Sequence, residues 1–229
     1  MKISVLALAV TAGATIAAQA NATVLANWTF ETSNPATAGP FAAEAGVNGA
    51  TSQASGSHAS GATVYSSPVG NGSARSFSSN TWAVNDYYQF KSSSLGYSNI
   101  KIQWDQTSSN TGPRDFGLFW STNGTTFTQI GSTLTVLANA APNPVWNAVT
   151  ASALFTMGPT SGPAAMDNQA TIYFRVVMLT TVSANGGTVA AAGTSRVDNV
   201  IITGDVVPTP GSAALIGLAG LIAGRRRRN

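Results

Sequence analysis

The sequence predicts an all-β body, folded as an antiparallel β-sandwich, between two terminal helices. Only 8% of the residues are charged, and no long Glu/Lys/Leu pattern of helical period is present. Short apolar or alternating segments are instead bounded by Gly, Asn, Ser and Pro, which is typical of sandwiches and barrels. The body, residues 23–205, is about 180 residues long and fits one domain with a sizeable core.

Ten segments have the length and pattern of strands. They are residues 24–31, 62–65, 74–77, 87–91, 100–106, 115–121, 127–136, 149–155, 170–179 and 195–203. Long connections rich in small residues separate them at 34–61, 139–147, 158–168 and 183–194. The first is unusually long for a compact domain. We expect it either to hold one helical turn at 42–45 or to lie over a sheet edge.

The sequence also predicts a β-hairpin. Residues 116–121 and 125–130 flank Asn123 and Gly124, a pair that tolerates the positive φ of a type I′ turn. In the first arm Phe116, Leu118 and Trp120 share one face, because side chains alternate with period two along a strand.

The N-terminus has the features of a secretory signal peptide. Lys2 precedes an apolar or small stretch over residues 3–18, and two Ala-x-Ala sites end at Ala20 and Ala22. The sequence predicts cleavage after Ala20 or Ala22 and export of the body. A buried N-terminal helix is the alternative.

The C-terminus combines a proline-rich motif, an apolar run and a basic cluster. Residues 206–224 are uncharged, and at 1.5 Å per helical residue they span ~28 Å, about one hydrocarbon core. The run ends in Arg225, Arg226, Arg227 and Arg228, which should remain on the cytoplasmic side. A plain single-pass anchor is one interpretation of this tail.

The same order of features resembles a PEP-CTERM sorting signal of bacteria. Pro208, Thr209 and Pro210 form the proline motif, although the family usually has Glu where this chain has Thr209. The resemblance implies that a membrane-embedded exosortase is a partner. That enzyme would remove the tail after transient anchoring and pass the protein to the cell surface or extracellular matrix.

Charge and cysteine content exclude several classes of function. The chain carries +3, but Lys2 and the four terminal arginines are five of its eleven basic residues, which leaves the body six against eight acidic residues, near −2. Nucleic-acid binding would need basic residues clustered on the body, so we expect none. With no cysteine in the chain, disulfides and cysteine metal sites are excluded.

Two segments at the ends of the body resemble secreted jelly-roll β-sandwiches, including many carbohydrate-binding modules. The segments are Asn27-Trp-Thr-Phe-Glu31 and Asp198-Asn-Val200, where the family often has Asn-Gly-Gly-Phe-Glu and Asp-Asp-Val. The resemblance implies a jelly-roll-like β-sandwich with a structural Ca²⁺ held by Glu31, Asp198 and backbone carbonyls. Residues 87–90, 100–105 and 112–124 also resemble a jelly-roll module common in bacterial surface proteins.

Strand alternation gives an independent expectation for Asp198. It places Asp198 on the same face as Val200 and Ile202, where a carboxylate in the core must be paired or metal-bound. The alternatives to calcium are an ion pair with Arg196 or Arg175, or a cap on a loop.

Polar and aromatic residues also predict a carbohydrate site. Lys101, Gln103 and Asp105 form the polar face of one predicted strand, and Arg175 lies on another. We predict that Lys101, Asp105 and Arg175 together recognise extracellular polysaccharide. The candidate aromatic platforms are Trp82, Tyr87, Tyr88, Phe119 and Trp146, unless these rings belong to the core.

The sequence offers little material for catalysis. Its single histidine, His58, lies in a Gly/Ser loop, a poor place for a catalytic base. Asp105 and Asp115 could form a glycosidase pair, but their spacing equally suits solvated strand ends.

The sequence therefore predicts an exported, non-catalytic protein with a structural or adhesive role. A carbohydrate-binding module is the alternative, and a glycan hydrolase is a more distant one.

Overall fold

The computed structural model describes residues 22–208, which form twelve strands and three short 3₁₀-helices. Sheet A contains β1 (Thr23–Trp28), β4 (Tyr65–Ser66), β5 (Phe77–Ser79), β7 (Tyr97–Ser108), β10 (Thr156–Ser161) and β12 (Ser195–Val206). Sheet B contains β2 (Phe41–Ala42), β3 (Gln53–Ser57), β6 (Tyr87–Ser92), β8 (Asp115–Ser121), β9 (Thr128–Thr135) and β11 (Ile172–Met178). The 3₁₀-helices are Gly49–Thr51, Ala153–Phe155 and Ala164–Met166.

All pairings within the two sheets are antiparallel. Sheet A runs β10-β7-β12-β5-β4, and β1 pairs with the second half of β12 while β5 pairs with its first residues. Sheet B runs β2-β3-β6-β11-β8-β9. The predicted antiparallel β-sandwich is confirmed. The predicted signal and transmembrane helices lie outside the described residues, and among residues 22–208 no helix is long and apolar enough to cross a membrane.

The core lies between the sheets and is rich in aromatic rings. Trp28 of sheet A packs on Phe90 of sheet B with 5.4 Å between ring centroids. Phe77 and Tyr88 make a similar contact at 4.9 Å. All four side chains are fully buried, and such tilted contacts add to the stabilisation from buried area.

Strands β6 and β11 show how the alternation of the sequence becomes two faces. Along β6, Tyr88 and Phe90 are buried while Tyr87 and Gln89 are partly exposed. Strand β11 pairs with β6 and β8 and repeats this pattern from Ile172 to Val176. The outer face of sheet B therefore carries one set of side chains from each strand, and the core receives the other set.

Three predictions about the connections are wrong. Residues 42–45 form no helical turn, because Phe41 and Ala42 pair with β3 and the chain then contacts β1 through Asn27. The segment 34–61 is no simple loop, since it supplies β2 and β3 of sheet B. Strand β3 was missed because its Ser, Gly and Ala residues have no apolar alternation, and its pairing with β6 defines it.

The third wrong prediction is the strand over residues 149–155. This segment ends in the 3₁₀-helix Ala153–Phe155, and strand β10 begins only at Thr156. Ser152 N–H donates to Asn71 Oδ1 at 2.8 Å, so a side chain rather than a strand partner satisfies the backbone there.

The predicted hairpin pairs as expected but turns differently. Strands β8 and β9 are antiparallel, with Trp120 opposite Thr128. The connection spans residues 122–127, and Gly124 has a positive φ of 73° whereas Asn123 does not. Asn123 Oδ1 accepts from the N–H groups of Thr125 and Thr126 at 2.9 Å each. This side-chain cap replaces the predicted type I′ turn.

Candidate functional site

Asp198 lies on the outer side of sheet A because a β-bulge interrupts β12. Asp198 is opposite Asp105 of β7, whereas Ile201 is opposite Gln103. Three steps along β12 thus face two along β7, and Asn199 takes a left-handed φ of 49° at the bulge. Val197 and Val200 consequently both face the core. The prediction that Asp198 shares a face with Val200 and Ile202 is wrong, since alternation cannot anticipate an inserted residue.

Asp198 is nevertheless fully buried, beneath the loop that precedes β5. Its Oδ2 accepts from the Asn71 N–H at 2.8 Å and from Ser73 Oγ at 2.6 Å, and its Oδ1 accepts from the Asn199 N–H at 2.8 Å. A Cβ on Gly70 would lie 2.1 Å from Asp198 Oδ2, so only glycine lets this loop approach so closely. Asp198 therefore acts as a cap on a loop, one of the alternatives to calcium.

Asp105 belongs to the same buried polar cluster. Its Oδ2 accepts from the side-chain amides of Asn71 and Asn199, both at 2.9 Å, and its Oδ1 accepts from Thr156 Oγ1 at 2.6 Å. Burial raises the pKa of Asp198 to about 7, because the nearby charge of Asp105 adds to desolvation and the hydrogen bonds only partly offset both.

Glu31 holds the other end of the same loop. It is exposed, and its carboxylate accepts from the N–H groups of Ala74 at 3.2 Å and Arg75 at 2.8 Å. The two carboxylates predicted as calcium ligands thus both bind the segment 70–75, but through different donors. Among residues 22–208 no group of three or more His, Cys, Asp or Glu side chains could hold a metal ion.

Calcium takes six to eight oxygen ligands. Here the carboxylates of Asp198 and Glu31 already accept hydrogen bonds from five loop and bulge donors. The described donor set therefore accounts for both side chains without a cation, and calcium binding stays a prediction.

Neither arginine proposed as an ion-pair partner of Asp198 fills that role. Arg196 Nη1 donates to the Val69 carbonyl at 3.0 Å, and its guanidinium stacks over Trp146. Arg175 lies in sheet B, on the opposite outer face of the sandwich.

Glu44 is a third loop-holding carboxylate, which sequence reasoning missed. It accepts from Thr29 Oγ1, from Ser33 Oγ and from the N–H groups of residues 31–33. Burial alone would raise its pKa, but these hydrogen bonds prevail and lower the pKa to about 2. Nothing local in the sequence indicates this role, since Glu44 reaches donors eleven or more residues away.

The predicted carbohydrate site of Lys101, Asp105 and Arg175 is not assembled. Lys101 is exposed on β7, Asp105 is buried on the same strand, and Arg175 lies on β11 of the other sheet. Alternation correctly placed Lys101 and Asp105 on one face. The grouping with Arg175 was wrong because alternation does not say which strands share a sheet.

The candidate aromatic platforms divide between core and surface. Trp82, Tyr88 and Trp146 are 6%, 0% and 2% exposed, so these three belong to the interior. Tyr87 and Phe119 are partly exposed and point out from sheet B. They share this surface with Arg175.

We call this surface the sheet-B face. It consists of the outward side chains Ser55, Tyr87, Gln89, Lys91, Phe119, Phe127, Gln129, Tyr173 and Arg175. Gln89 and Phe119 are the register neighbours of Arg175 on either side. The face therefore interleaves aromatic rings, amides and two cationic side chains.

Arg175 is clamped at the centre of the sheet-B face. Its guanidinium carbon lies 3.6 Å from the ring centroid of Phe127 and 3.9 Å from that of Tyr87. Nε donates to Gln89 Oε1 at 2.8 Å. Tyr173 packs edge-on against Phe127 at 6.3 Å. Alternation along β6 and β11 places most of these residues on the outer face. Phe127 directly precedes β9, and the predicted strand over 127–136 gave it the same alternation as Gln129.

A buried chain of polar groups surrounds the single histidine. His58 Nε2 lies 3.0 Å from Ser79 Oγ, and His58 Nδ1 lies 3.0 Å from Asp86 Oδ2. These contacts resemble a Ser-His-Asp arrangement. The His58 side chain is only 1% exposed and Ser79 is fully buried, so no substrate can reach this hydroxyl. Burial lowers the pKa of His58 although Asp86 opposes the shift.

The suggested carboxylate pair of a glycosidase is also not assembled. Asp105 lies on sheet A and Asp115 on sheet B. Asp115 binds Arg114 at 2.8 Å and accepts from Thr180 Oγ1 at 2.6 Å, and the hydrogen bond from Arg114 lowers the pKa of Asp115.

A groove of about 450 Å³ lies beside sheet A. Small polar side chains make up most of its wall, without an aromatic ring. The lining residues are Ser66, Pro68, Ser78, Ser109, Asn110, Asn139, Ala140, Thr194 and Arg196.

Comparison with known proteins gives no family. No protein-family model matches the sequence, and no curated protein matches it. Among solved structures, the K2 cleaved adhesin domain of Lys-gingipain matches with a TM-score of 0.42 and 16% identity, over 77% of this chain and 97% of that chain. The K3 domain of Lys-gingipain from Porphyromonas gingivalis W83 gives 0.42 and 16%, over 78% and 98%.

A carbohydrate-binding structure also matches. TmCBM61, in complex with beta-1,4-galactotriose, gives a TM-score of 0.34 and 10% identity, over 67% of this chain and 88% of that chain. At such TM-scores and identities these similarities assign neither a family nor a ligand to this chain.

Proposed function

We propose that this chain is an exported, non-catalytic protein of the cell surface or extracellular matrix. Its jelly-roll-like sandwich adheres by binding extracellular polysaccharide through the sheet-B face. The observation that carries the proposal is the composition of this face, in which partly exposed Tyr87, Phe119, Phe127 and Tyr173 surround the polar groups of Arg175 and its neighbours.

Sugars present both apolar C–H faces and hydroxyl edges, so their binding sites combine aromatic surface with a few polar groups that fix orientation. The sheet-B face offers both within one sheet. Gln89 and Gln129 carry amides that can donate and accept hydrogen bonds, and Gln129 is exposed. The groove beside sheet A offers polar groups alone, which makes it the weaker candidate.

The absence of catalysis in this proposal is supported by where the reactive groups lie. Hydrolysis of glycosidic bonds generally uses two carboxyl groups on either side of the bond. The charged side chains of the sheet-B face are Lys91 and Arg175, and neither carries a carboxyl group. The buried group of Ser79, His58 and Asp86 is closed to solvent.

Sorting to the surface rests on the terminal segments, most of which lie outside the described residues. Ala20 and Ala22 would end the signal peptide, and Pro208 to Pro210 with Arg225 to Arg228 would direct an exosortase-type enzyme. Mass spectrometry of the C-terminus from cell and matrix fractions tests this part. We expect a terminus near Pro208 or Pro210 in the matrix fraction. An intact arginine end in both fractions would leave a plain anchor.

Binding can be tested with the full chain in mild detergent and a panel of purified extracellular polysaccharides. We expect saturable binding to at least one polymer, with no change in its length. Phe127→Ala should weaken binding because it removes one wall of the Arg175 clamp. Lys101→Ala, on the other sheet, is the matched control and should bind as the wild type does.

Two results would contradict the proposal. If no polymer binds, the role is structural and the sheet-B face has another use. If a polymer is shortened during incubation, the protein is a hydrolase.

A further inference from the structure

We propose that the sheet-B face selects acidic polysaccharide, and that Arg175 binds the carboxylate of a uronic-acid residue through Nη1 and Nη2. This inference rests on the proposed function and adds to it the chemical class of the ligand. It depends on how Arg175 is held, on which of its donors are used, and on the charges around it.

The side chain of Arg175 is held in one orientation before any ligand arrives. A planar guanidinium has two faces, and rings within 3.6 and 3.9 Å of its carbon, from Phe127 and Tyr87, occupy them. The hydrogen bond from Nε to Gln89 Oε1 fixes rotation within that plane. Because folding has already restricted this side chain, little rotamer entropy remains to be lost on binding.

The outer edge of the guanidinium has no acceptor within the described part of the chain. Nε is the Arg175 atom that donates to the protein there, and neither Nη is among the buried polar atoms that lack a partner, so both reach solvent. Two parallel N–H groups on this edge match the two oxygens of a carboxylate, the geometry in which arginine binds most strongly.

The charge of the face favours an anionic ligand. Within residues 22–208 the ion pairs are His58–Asp86 and Arg114–Asp115, so Arg175 and Lys91 have no acidic partner there. Asp115 also points out from sheet B, but outside the sheet-B face. It is bound by Arg114 and lies four residues from Phe119 along β8, or ~13 Å. A neutral glycan would leave both cations unpaired.

Lys91 extends the positive charge along the strand direction. It lies on β6 two residues from Gln89, opposite Tyr173, whereas Arg175 is opposite Gln89. Residues two apart on one strand are ~7 Å apart, so Lys91 can meet a second charge of the same polymer. Two cations are too few for the basic stripe that binds nucleic acid, and the aromatic rings around Arg175 favour sugar rings.

The inference can be tested with polygalacturonate and with the same polymer after its carboxyl groups are reduced to alcohols. We expect the full chain, in mild detergent, to bind polygalacturonate about ten- to a hundredfold more tightly than the reduced polymer, as one bidentate charged contact gives. Binding to polygalacturonate should weaken as salt is raised.

Three variants separate geometry from charge. Arg175→Lys keeps the charge but loses the planar fork, and should lose about tenfold in affinity for polygalacturonate. Arg175→Gln should lose at least as much, whereas Lys101→Gln removes one charge from the other sheet and should change nothing. All three should keep a melting temperature close to that of the wild type. Lys101→Gln should also leave affinity for the reduced polymer unchanged, whereas the two Arg175 variants should lose clearly less affinity for the reduced polymer than for polygalacturonate.

Several results would overturn the inference. Equal affinity for the two polymers would refute carboxylate selection while leaving the proposed polysaccharide binding in place. Equal losses in Arg175→Gln and Lys101→Gln would indicate a diffuse charge effect. Binding to dextran sulfate but not to polygalacturonate would exclude the carboxylate. Binding to no polymer at all would refute the proposed function as well.

Discussion

The two outer faces of the sandwich carry polar residues on strands of similar alternation, yet they end in opposite environments. On sheet A, Asp105, Asp198 and Asn71 are 6%, 0% and 2% exposed, and they bind one another and the loops above them. On sheet B, Gln89 and Arg175 remain partly exposed beside aromatic rings.

The loops, rather than the strands, therefore decide what an outer face of this sandwich can do. The loop at 70–75 crosses sheet A and donates hydrogen bonds to the carboxylates of Asp198 and Glu31. These two carboxylates therefore hold the loop in place. No comparable hydrogen bonds tie a crossing loop to Gln89 or Arg175 within the described residues. Their polar groups therefore remain available to a ligand.

Two neighbouring tyrosines on β6 should differ most in how their replacement changes the free energy of unfolding. Tyr88→Ala should lower the free energy of unfolding by about 3–5 kcal/mol, because it empties a core site and removes the hydroxyl between Ser79 and the Ser195 carbonyl. Tyr87→Ala, one residue earlier, should cost less than about 1 kcal/mol but weaken polysaccharide binding. Urea denaturation and binding assays measure both. Similar stability losses would show that the sheet-B face is structural.

A second variant removes the Asp198 carboxylate from the buried polar cluster of sheet A. Asp198→Ala leaves the N–H groups of Asn71 and Asn199 without their acceptor, and should cost about 2–4 kcal/mol. Asp205→Ala, on the same strand, removes an exposed contact to Asn99 and should cost less than about 0.5 kcal/mol. If the two variants melt alike, the cluster around Asp198 does not stabilise the fold.

A smaller effect is expected from Glu44, and it depends on pH. Its pKa in the folded protein is about 2 against an ordinary 4.5, so its contribution is complete above pH 4.5 and is lost as pH falls toward 2. Glu44→Gln should therefore cost about 1 kcal/mol at pH 7, discounted for its exposure, and the difference from wild type should shrink below pH 4.5. A gap that stays constant down to pH 2 would contradict this assignment.

The smallest expected effect is that of calcium removal. If Glu31 and Asp198 hold Ca²⁺, EDTA should lower the melting temperature of the wild type by a few degrees, and Asp198→Asn should abolish the difference. Because loop donors already satisfy both carboxylates, we expect the shift to be modest. If EDTA leaves the melting temperature of the wild type unchanged, Glu31 and Asp198 do not bind calcium.

Alternation predicted much of the fold and part of the site. The inward and outward residues of β6, β7 and β11 follow directly from period two. Strand β3 was not predicted, because Ser and Gly give no apolar alternation and only its pairing with β6 defines the strand. The bulge at Asn199 was not predicted either, because the inserted residue is recognised only from the pairing of β12 with β7.

Composition and short-range periodicity were enough to predict the class of fold and the near-neutral charge of the body. They also predict the terminal sorting signals, which stay a prediction. Tertiary structure decided which polar residues meet. Lys101 and Arg175 looked equivalent along the chain, yet strand order put them on opposite sheets. The loops then buried Asp198 and left Arg175 open, because burial depends on contacts between residues far apart in sequence.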